Sequence, residues 1–269
     1  MFVIPAPNPI AFNVLGIPIY KYGITLALGI FVAIIVANWL YNFANSKQGE
    51  KKDVIIEYAP IIIVVGILCA RLYFCLLNPH FYLSHPLEIL DIRQGGLSIH
   101  GGILGGILSV IFISQKTKIP FLSLMDSLAG ATFIGQAIGR WGNYFNSEAF
   151  GFPVNGQSWG LFIPQNLRPA QFADFSLFHP TFLYESCLDL VGFFVILFVY
   201  KKVCNKYRGF VFFLYLILYA TIRFFIEQIR VDSALNVASI PIAEVVSVIL
   251  FVVGFLGIFV ILKKNVKSL

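Results

Sequence analysis

The chain has 269 residues, 58% of them hydrophobic and only 12% charged, with a mean hydropathy of +0.84. Soluble domains carry roughly 25% charged residues, and disorder needs low hydrophobicity with high net charge, so both are excluded. What remains is an integral membrane protein, in which a net charge of +6 matters through where the cations lie and does not point to nucleic acid.

In chain order, the opening stretch carries Pro5, Pro7 and Pro9 and no Lys or Arg before Lys21. It lacks the basic region that begins a secretory signal peptide. A bilayer core of about 30 Å takes roughly 20 apolar residues per helix, and the apolar runs then give seven spans, over 22–41, 54–77, 97–114, 121–141, 181–200, 209–229 and 239–262. Arg71 interrupts the second, Asp126 the fourth, Glu185 and Asp189 the fifth, Arg223 and Glu227 the sixth. The third is the weakest, with a short, glycine-rich charge-free stretch, Gly101–Gln115. Cys69, Cys75, Cys187 and Cys204 show no CxxC spacing and read as packing residues.

The cations set the orientation. Lys47, Lys51, Lys52, Lys116, Lys118, Lys201, Lys202, Lys206, Arg208, Lys263, Lys264 and Lys267 all fall on one side, twelve of the 19 Lys and Arg. Arg93, Arg140, Arg168 and Arg230 fall on the other, with Lys21 at a helix start. The positive-inside rule then puts the N-terminus outside and the C-terminus in the cytoplasm. The expected fold is an all-α integral membrane protein, one polytopic domain over 1–269. Segment 142–180 forms a small extracytoplasmic cap within it.

Polar side chains other than the lysines gather in the outer half. Tyr219, Arg223, Glu227 and Arg230 recur at spacings of four, four and three, which places them on one helix face. Charge in hydrocarbon is costly and faces a bundle interior or cavity. An Arg223–Glu227 pair that only locks packing is one reading; a buried cation awaiting an anionic ligand, its geometry held by the acid, is the other. Arg140 closes the fourth helix inside Gly139-Arg140-Trp141-Gly142-Asn143-Tyr144-Phe145-Asn146-Ser147-Glu148. Guanidinium is the planar partner of choice for phosphate, and glycines let backbone approach a ligand. His100, between Gly95-Gly96 and Gly101-Gly102, is either an interfacial bystander or a proton acceptor with room beside its imidazole. Arg71 divides evenly between snorkelling and ligand contact, Asp126 reads as structural, and Glu185 is half explained by the dipole of the helix it opens. The chain has no HExxH, no GxSxG and no GxxxxGK[ST], so lipid-phosphate chemistry without a metal or other cofactor is expected.

These residues resemble the prolipoprotein diacylglyceryl transferases of bacteria over essentially the whole length. The matching blocks are Tyr22-Gly23, Ala70-Arg71-Leu72-Tyr73, Gly95–Gly102, Asp126, Gly135–Glu148, His179–Glu185 and Arg223–Arg230. The resemblance implies transfer of the diacylglyceryl group of phosphatidylglycerol to the lipobox cysteine thiol of a prolipoprotein, forming a thioether and releasing glycerol phosphate. It implies a multi-pass protein of the bacterial cytoplasmic membrane with its site toward the outer face. Carried over, Arg140 and Arg223, with Arg71, would bind the lipid phosphate. His100 would be the thiol's general base, and Tyr22, Asn143, Glu148 and Glu227 would share the catalytic set. Glu185, Tyr219, Arg230, Gly101 and Gly102 would support them. Ser147 stands where the signature has glycine, Glu244 where glutamine is usual, and nothing transfers within 142–180. An anionic-lipid flippase or an inactive lipoprotein-binding paralogue are the competing readings; the one-sided polar set argues against the first, and retention of His100, Arg140, Arg223 and Glu227 against the second.

Overall fold

The computed structural model describes residues 2–45, 51–91, 95–154, 159–231, 236–237 and 240–266. Lys47, Arg93 and Lys267 of the charge count lie outside them. Three short strands come first, β1 (Phe2–Ile4), β2 (Ile10–Val14) and β3 (Ile17–Tyr20). Leu15 and Gly16 both take positive φ and turn β2 back onto β3 as a two-residue hairpin. The helices are α1 (Lys21–Asn45), α2 (Val54–Leu77), a short α3 (Pro79–Ser84), α4 (Ile99–Thr117), α5 (Phe121–Asn146), α6 (Thr181–Val203), α7 (Phe210–Glu227) and α8 (Ile242–Val266). Strands β4 (Trp159–Phe162) and β5 (Leu177–Phe178) lie between α5 and α6, and β6 (Asn236–Val237) and β7 (Ile240–Pro241) precede α8.

Seven of these helices are long and apolar enough to cross a membrane, the seven expected. Only helix satisfies every backbone group within one segment in hydrocarbon, which is why apolar runs of this length fold so. The largest departure is α5. The glycines and asparagines after Arg140 suggested an end near residue 141, yet the helix continues to Asn146, so Arg140 sits inside it and not at its tip. The weakest span, α4, is a full 19-residue helix. All four cysteines are free; burial pushes the Cys204 thiol above its ordinary range, in keeping with a packing role.

The chain divides into two compact units, one of residues 1–40 and 126–269, the other of residues 41–125. In the second, α2 and α4 pack antiparallel. A Cβ on Gly105 would meet Val65 O at 2.7 Å and Gly66 Cα at 2.9 Å, and one on Gly101 would run into Cys69 O and Ala70. Gly101 and Gly105 are the small-xxx-small pair that lets two backbones touch. The last turns of α1 are tied to the start of α2 by Asn42 Nδ2 donating to Asp53 Oδ1 at 2.8 Å and Asp53 N–H returning to Asn42 Oδ1 at 3.0 Å.

In the first unit, Gly29 of α1 faces Gly135 of α5, where a Cβ would lie 2.8 Å from Gly135 O. Asp126 accepts from the N–H groups of Gly209 at 2.6 Å and Phe212 at 2.8 Å, capping the start of α7. The structural reading of Asp126 is thereby given its mechanism. A small sheet of order β1-β4-β5 is extended by bridges Pro153 to Phe178 and Gly151 to Arg230. Beneath it Phe150, Leu161, Ile163, Phe178 and Phe182 form a buried cluster against the start of α6.

Candidate active site

The first unit holds a cluster built by α5, α6, α7 and the segment after α7. Glu185 and Asp189 stand one turn apart on α6, Arg223 and Glu227 one turn apart on α7, so each pair shares a helix face. Arg140 Nη2 lies 2.5 Å from Glu185 Oε2, and Arg223 Nη2 lies 2.6 Å from Glu227 Oε2. Glu185 Oε1 is 3.6 Å from Arg223 Nη1 and 3.8 Å from Arg230 Nη1. Arg140 Nε is 3.9 Å from Asp189 Oδ2. Three guanidiniums therefore share three carboxylates.

The two sets are not equally accessible. The side chains of Arg140, Arg223 and Arg230 are 22%, 17% and 13% exposed, those of Glu185, Glu227 and Asp189 only 2–3%. The acids are the more deeply buried layer, and the guanidiniums keep what exposure the cluster has. Arg223 Nη1 and Glu185 Oε1 are buried without a hydrogen-bond partner, and at 3.6 Å they are too far apart to bond each other. A buried donor left unmade is costly, and an anion reaching Arg223 Nη1 would satisfy it.

Arg230 departs from the expected helix face. Helix α7 ends at Glu227, and Arg230 bridges Gly151 in extended backbone, with Phe152 N–H donating to Ile229 O and Val231 N–H to Phe150 O. The sheet, not helical spacing, delivers it to Glu185. Tyr219 lies one turn before Arg223, its ring stacked on Tyr215 at 5.9 Å. Tyr22 lies over Gly142, where a Cβ would meet its ring at 2.9 Å; that approach, inside a helix, explains the glycine. Asn143 Nδ2 donates to Glu148 Oε1 at 3.0 Å, and Glu148 N–H to Asn143 O at 3.0 Å, closing the turn after α5. Ser147 in that turn has φ 53°, the left-handed region that favours glycine, which accounts for the glycine expected there.

An apolar cavity of about 350 Å³ lies between α1, α5 and α6, lined by Thr25 and Leu28 of α1, Ala137, Ile138, Trp141 and Phe145 of α5, and Ser186 and Leu190 of α6. Ser186 Oγ donates to Ala137 O at 2.8 Å and fixes α6 against α5 beside it.

His100 and Arg71 belong to the other unit. His100 is exposed in the first turn of α4, its ring 6.0 Å from that of Tyr73. Arg71 is buried and fully engaged. Its Nε donates to Ile89 O at 2.9 Å, Nη1 to Gly95 O at 3.1 Å and Gly96 O at 2.9 Å, and Nη2 to Glu88 O at 2.5 Å and Asp91 O at 2.9 Å. All five N–H donors of a guanidinium are then used, so the phosphate role expected for Arg71 is replaced by anchoring of the loop before α4. Gly95 and Gly96 have φ 91° and 74°, and a side chain on Gly96 would strike Arg71 and Phe74. The glycines around His100 thus serve Arg71 and the α2–α4 contact, not an opening beside the imidazole; Gly102 makes only ordinary contact with Ala70.

Asp189, which interrupts the fifth span, joins the cluster without a role expected for it. Its spacing of four from Glu185 in an apolar helix was the available signal. Glu244 accepts from Gln228 Nε2 at 2.9 Å.

A family model described as prolipoprotein diacylglyceryl transferase matches residues 9–260. The chain is 40% identical over 261 residues to the phosphatidylglycerol–prolipoprotein diacylglyceryl transferase of Clostridium novyi (strain NT), covering 97% of each. It is 36% identical over 263 residues to the enzyme of that name in Bacillus cytotoxicus, covering 97% of this chain and 94% of the relative. Against that of Acaryochloris marina the identity is 37% over 268 residues, with 99% and 96% covered.

Proposed function

The chain belongs to the prolipoprotein diacylglyceryl transferase family, and from that premise we propose that it moves the diacylglyceryl group of phosphatidylglycerol to the lipobox cysteine of a prolipoprotein. The thiolate sulfur attacks the glycerol carbon that carries the phosphodiester oxygen. An S–C bond forms, the C–O bond breaks with its electron pair going to oxygen, and glycerol phosphate leaves. The thiol, with a free pKa near 8.5, must lose its proton first; His100, exposed at the start of α4, is the base in this reading.

The observation that carries the proposal is the cluster itself, three partly exposed arginines against three more deeply buried carboxylates. The breaking C–O bond puts a second charge on phosphate, and fixed cations held from behind stabilise it without reorganising. Arg140 and Arg223 bind the phosphate, Glu185 and Glu227 orient them, and Arg230 closes the set. Tyr22, Asn143 and Glu148 line the approach and Tyr219 supports Arg223. The cavity between α1, α5 and α6 is of a size and polarity suited to part of a lipid acyl chain.

The protein acts as one polytopic domain of the bacterial cytoplasmic membrane, N-terminus out, with residues 142–180 as the extracytoplasmic segment and the site toward the outer face. The charge distribution of the loops supports that orientation. Purified protein in detergent, given phosphatidylglycerol and a lipobox peptide, releases glycerol phosphate in step with a diacylglyceryl mass gain on the peptide. Arg140→Ala loses both. Intact lipid and unmodified peptide under conditions where a family member turns over would overturn the proposal.

A further inference from the structure

The lysine-bearing end of the second unit holds a pocket that the transfer chemistry does not use. Its volume is about 360 Å³, and Lys51, Tyr58, Lys116, Thr117, Lys118 and Ile119 line it. Antiparallel packing of α2 and α4 builds it, setting the first turns of α2 beside the last turn of α4. Lys51 enters from the segment before α2, where the Tyr41 hydroxyl donates to its carbonyl at 3.2 Å. Its ammonium donates to Glu57 Oε1 at 2.7 Å, and that bond holds it above its ordinary range. Lys116 stands over two rings, 5.5 Å from the centre of Tyr58 and 5.7 Å from that of Phe112. Lys118 ends α4 with φ 62°. Thr117 Oγ1 donating to Ile113 O at 2.7 Å and Ser114 Oγ to Ile119 O at 2.7 Å fasten the backbone on either side of it.

Charge, an unused donor and depth all fit one kind of ligand. Lys51, Lys116 and Lys118 are exposed ammoniums, charged at neutral pH, and only Lys51 meets an acid among the described residues. Tyr58 is only 7% exposed, yet its hydroxyl has no hydrogen-bond partner among the described residues and is not one of the sealed-in polar atoms. A donor is thus left for the pocket that Tyr58 lines. Ammoniums with a hydroxyl between them suit the oxygens of a phosphate. Depth then says what carries the phosphate. The 19 residues of α4 rise about 28 Å at 1.5 Å each, close to the thickness of the hydrocarbon core. Its last turn therefore reaches the headgroup layer, while Ile111 and Phe112, exposed one turn deeper, lie at acyl-chain level. Basic pockets between helix ends at this depth take anionic headgroups. We propose that this pocket is a binding site for the phosphate of an anionic glycerophospholipid, in a unit other than that of the arginine cluster.

The inference does not depend on the transfer reading, because its test reads binding at these residues and not turnover. Phosphatidylglycerol carrying a photoreactive group beside its phosphate is titrated into purified protein in a zwitterionic detergent. It should label the stretches 51–58 and 112–119 saturably, and phosphatidylcholine with the same group should label them at least about tenfold less well. Each lysine near a lipid headgroup is worth roughly fivefold in affinity, so Lys116→Gln with Lys118→Asn should raise the half-saturating lipid concentration about 25-fold. Both positions are exposed, and asparagine tolerates the left-handed backbone at 118, so this variant should fold. Tyr58→Phe keeps the ring under Lys116 and removes the donor; it should cost about three- to tenfold. Inorganic phosphate at millimolar concentration should displace none of the lipid. Unchanged labelling in the lysine variant, or equal labelling by phosphatidylcholine, would overturn the site. Loss in the lysine variant with no change in Tyr58→Phe would mean diffuse attraction to a basic surface and would overturn it as well. Displacement by inorganic phosphate would assign the pocket to a soluble anion and overturn the lipid.

Discussion

Arg71 offers the sharpest separation between a residue that binds substrate and one that builds the protein. Its five N–H groups reach carbonyls of Glu88, Ile89, Asp91, Gly95 and Gly96 at 2.5 to 3.1 Å, and Tyr82 lies 5.3 Å from the guanidinium carbon. Hydrogen bonds to a charged group contribute about 1.5–3 kcal/mol each. Water can reach much of this loop, because Glu88 and Gly95 are exposed and the other three half-buried, so each bond is worth nearer 0.5–1 kcal/mol net. Arg71→Ala should then destabilise the loop by about 2.5–5 kcal/mol. Three amides report on it: Glu88 N–H to His85 O, Asp91 N–H to Glu88 O and Ser98 N–H to Ala70 O. Their hydrogen exchange, measured in detergent, should accelerate by about 70- to 5000-fold. Arg71→Lys should recover less than half of the loss, since three donors on one nitrogen cannot span five carbonyls. Unchanged protection at these amides, with KM for phosphatidylglycerol raised at least about tenfold, would refute the anchoring argument and return Arg71 to the phosphate.

Two further substitutions test the other unit. Glu185→Gln leaves three guanidiniums without the carboxylate they share, and breaking a buried pair in this way costs about 3–5 kcal/mol; a lower thermal midpoint in detergent and a fall in kcat are expected, and wild-type stability would contradict the hub. Ser147→Gly removes the strain of a non-glycine residue at φ 53° and should raise stability by about 1 kcal/mol, read by unfolding titration with activity retained; no gain would mean that the surrounding turn already compensates.

Local pattern carried the sequence reading where the physics is local. The seven spans follow from run length, and the spacing of Tyr219, Arg223 and Glu227 follows from the helical repeat. Arg230 broke that pattern because strand pairing with Gly151 ended the helix first. Such pairing between segments 79 residues apart in sequence number leaves no periodic trace, and the same holds for β1 against β4. The glycines misled for a related reason. Gly101, beside His100, looked like space for a ligand, but what fills the space is the backbone of α2. Arg71 looked like a phosphate ligand because a sequence shows a cation in a membrane span and not the five carbonyls that surround it.

The layering of the cluster follows from the solvent it must fold in. Three uncompensated guanidiniums would be too costly to bury in hydrocarbon, and three acids facing them would block the ligand. Burying the acids more deeply than the arginines meets both demands at once. The i,i+4 pairs Glu185–Asp189 and Arg223–Glu227 each place two charged groups one turn apart on a single helix face. Arg140 and Arg230 arrive from α5 and from the sheet, so the guanidiniums come from three separate elements. A site assembled that way should respond to loss of any one element by losing alignment before it loses charge.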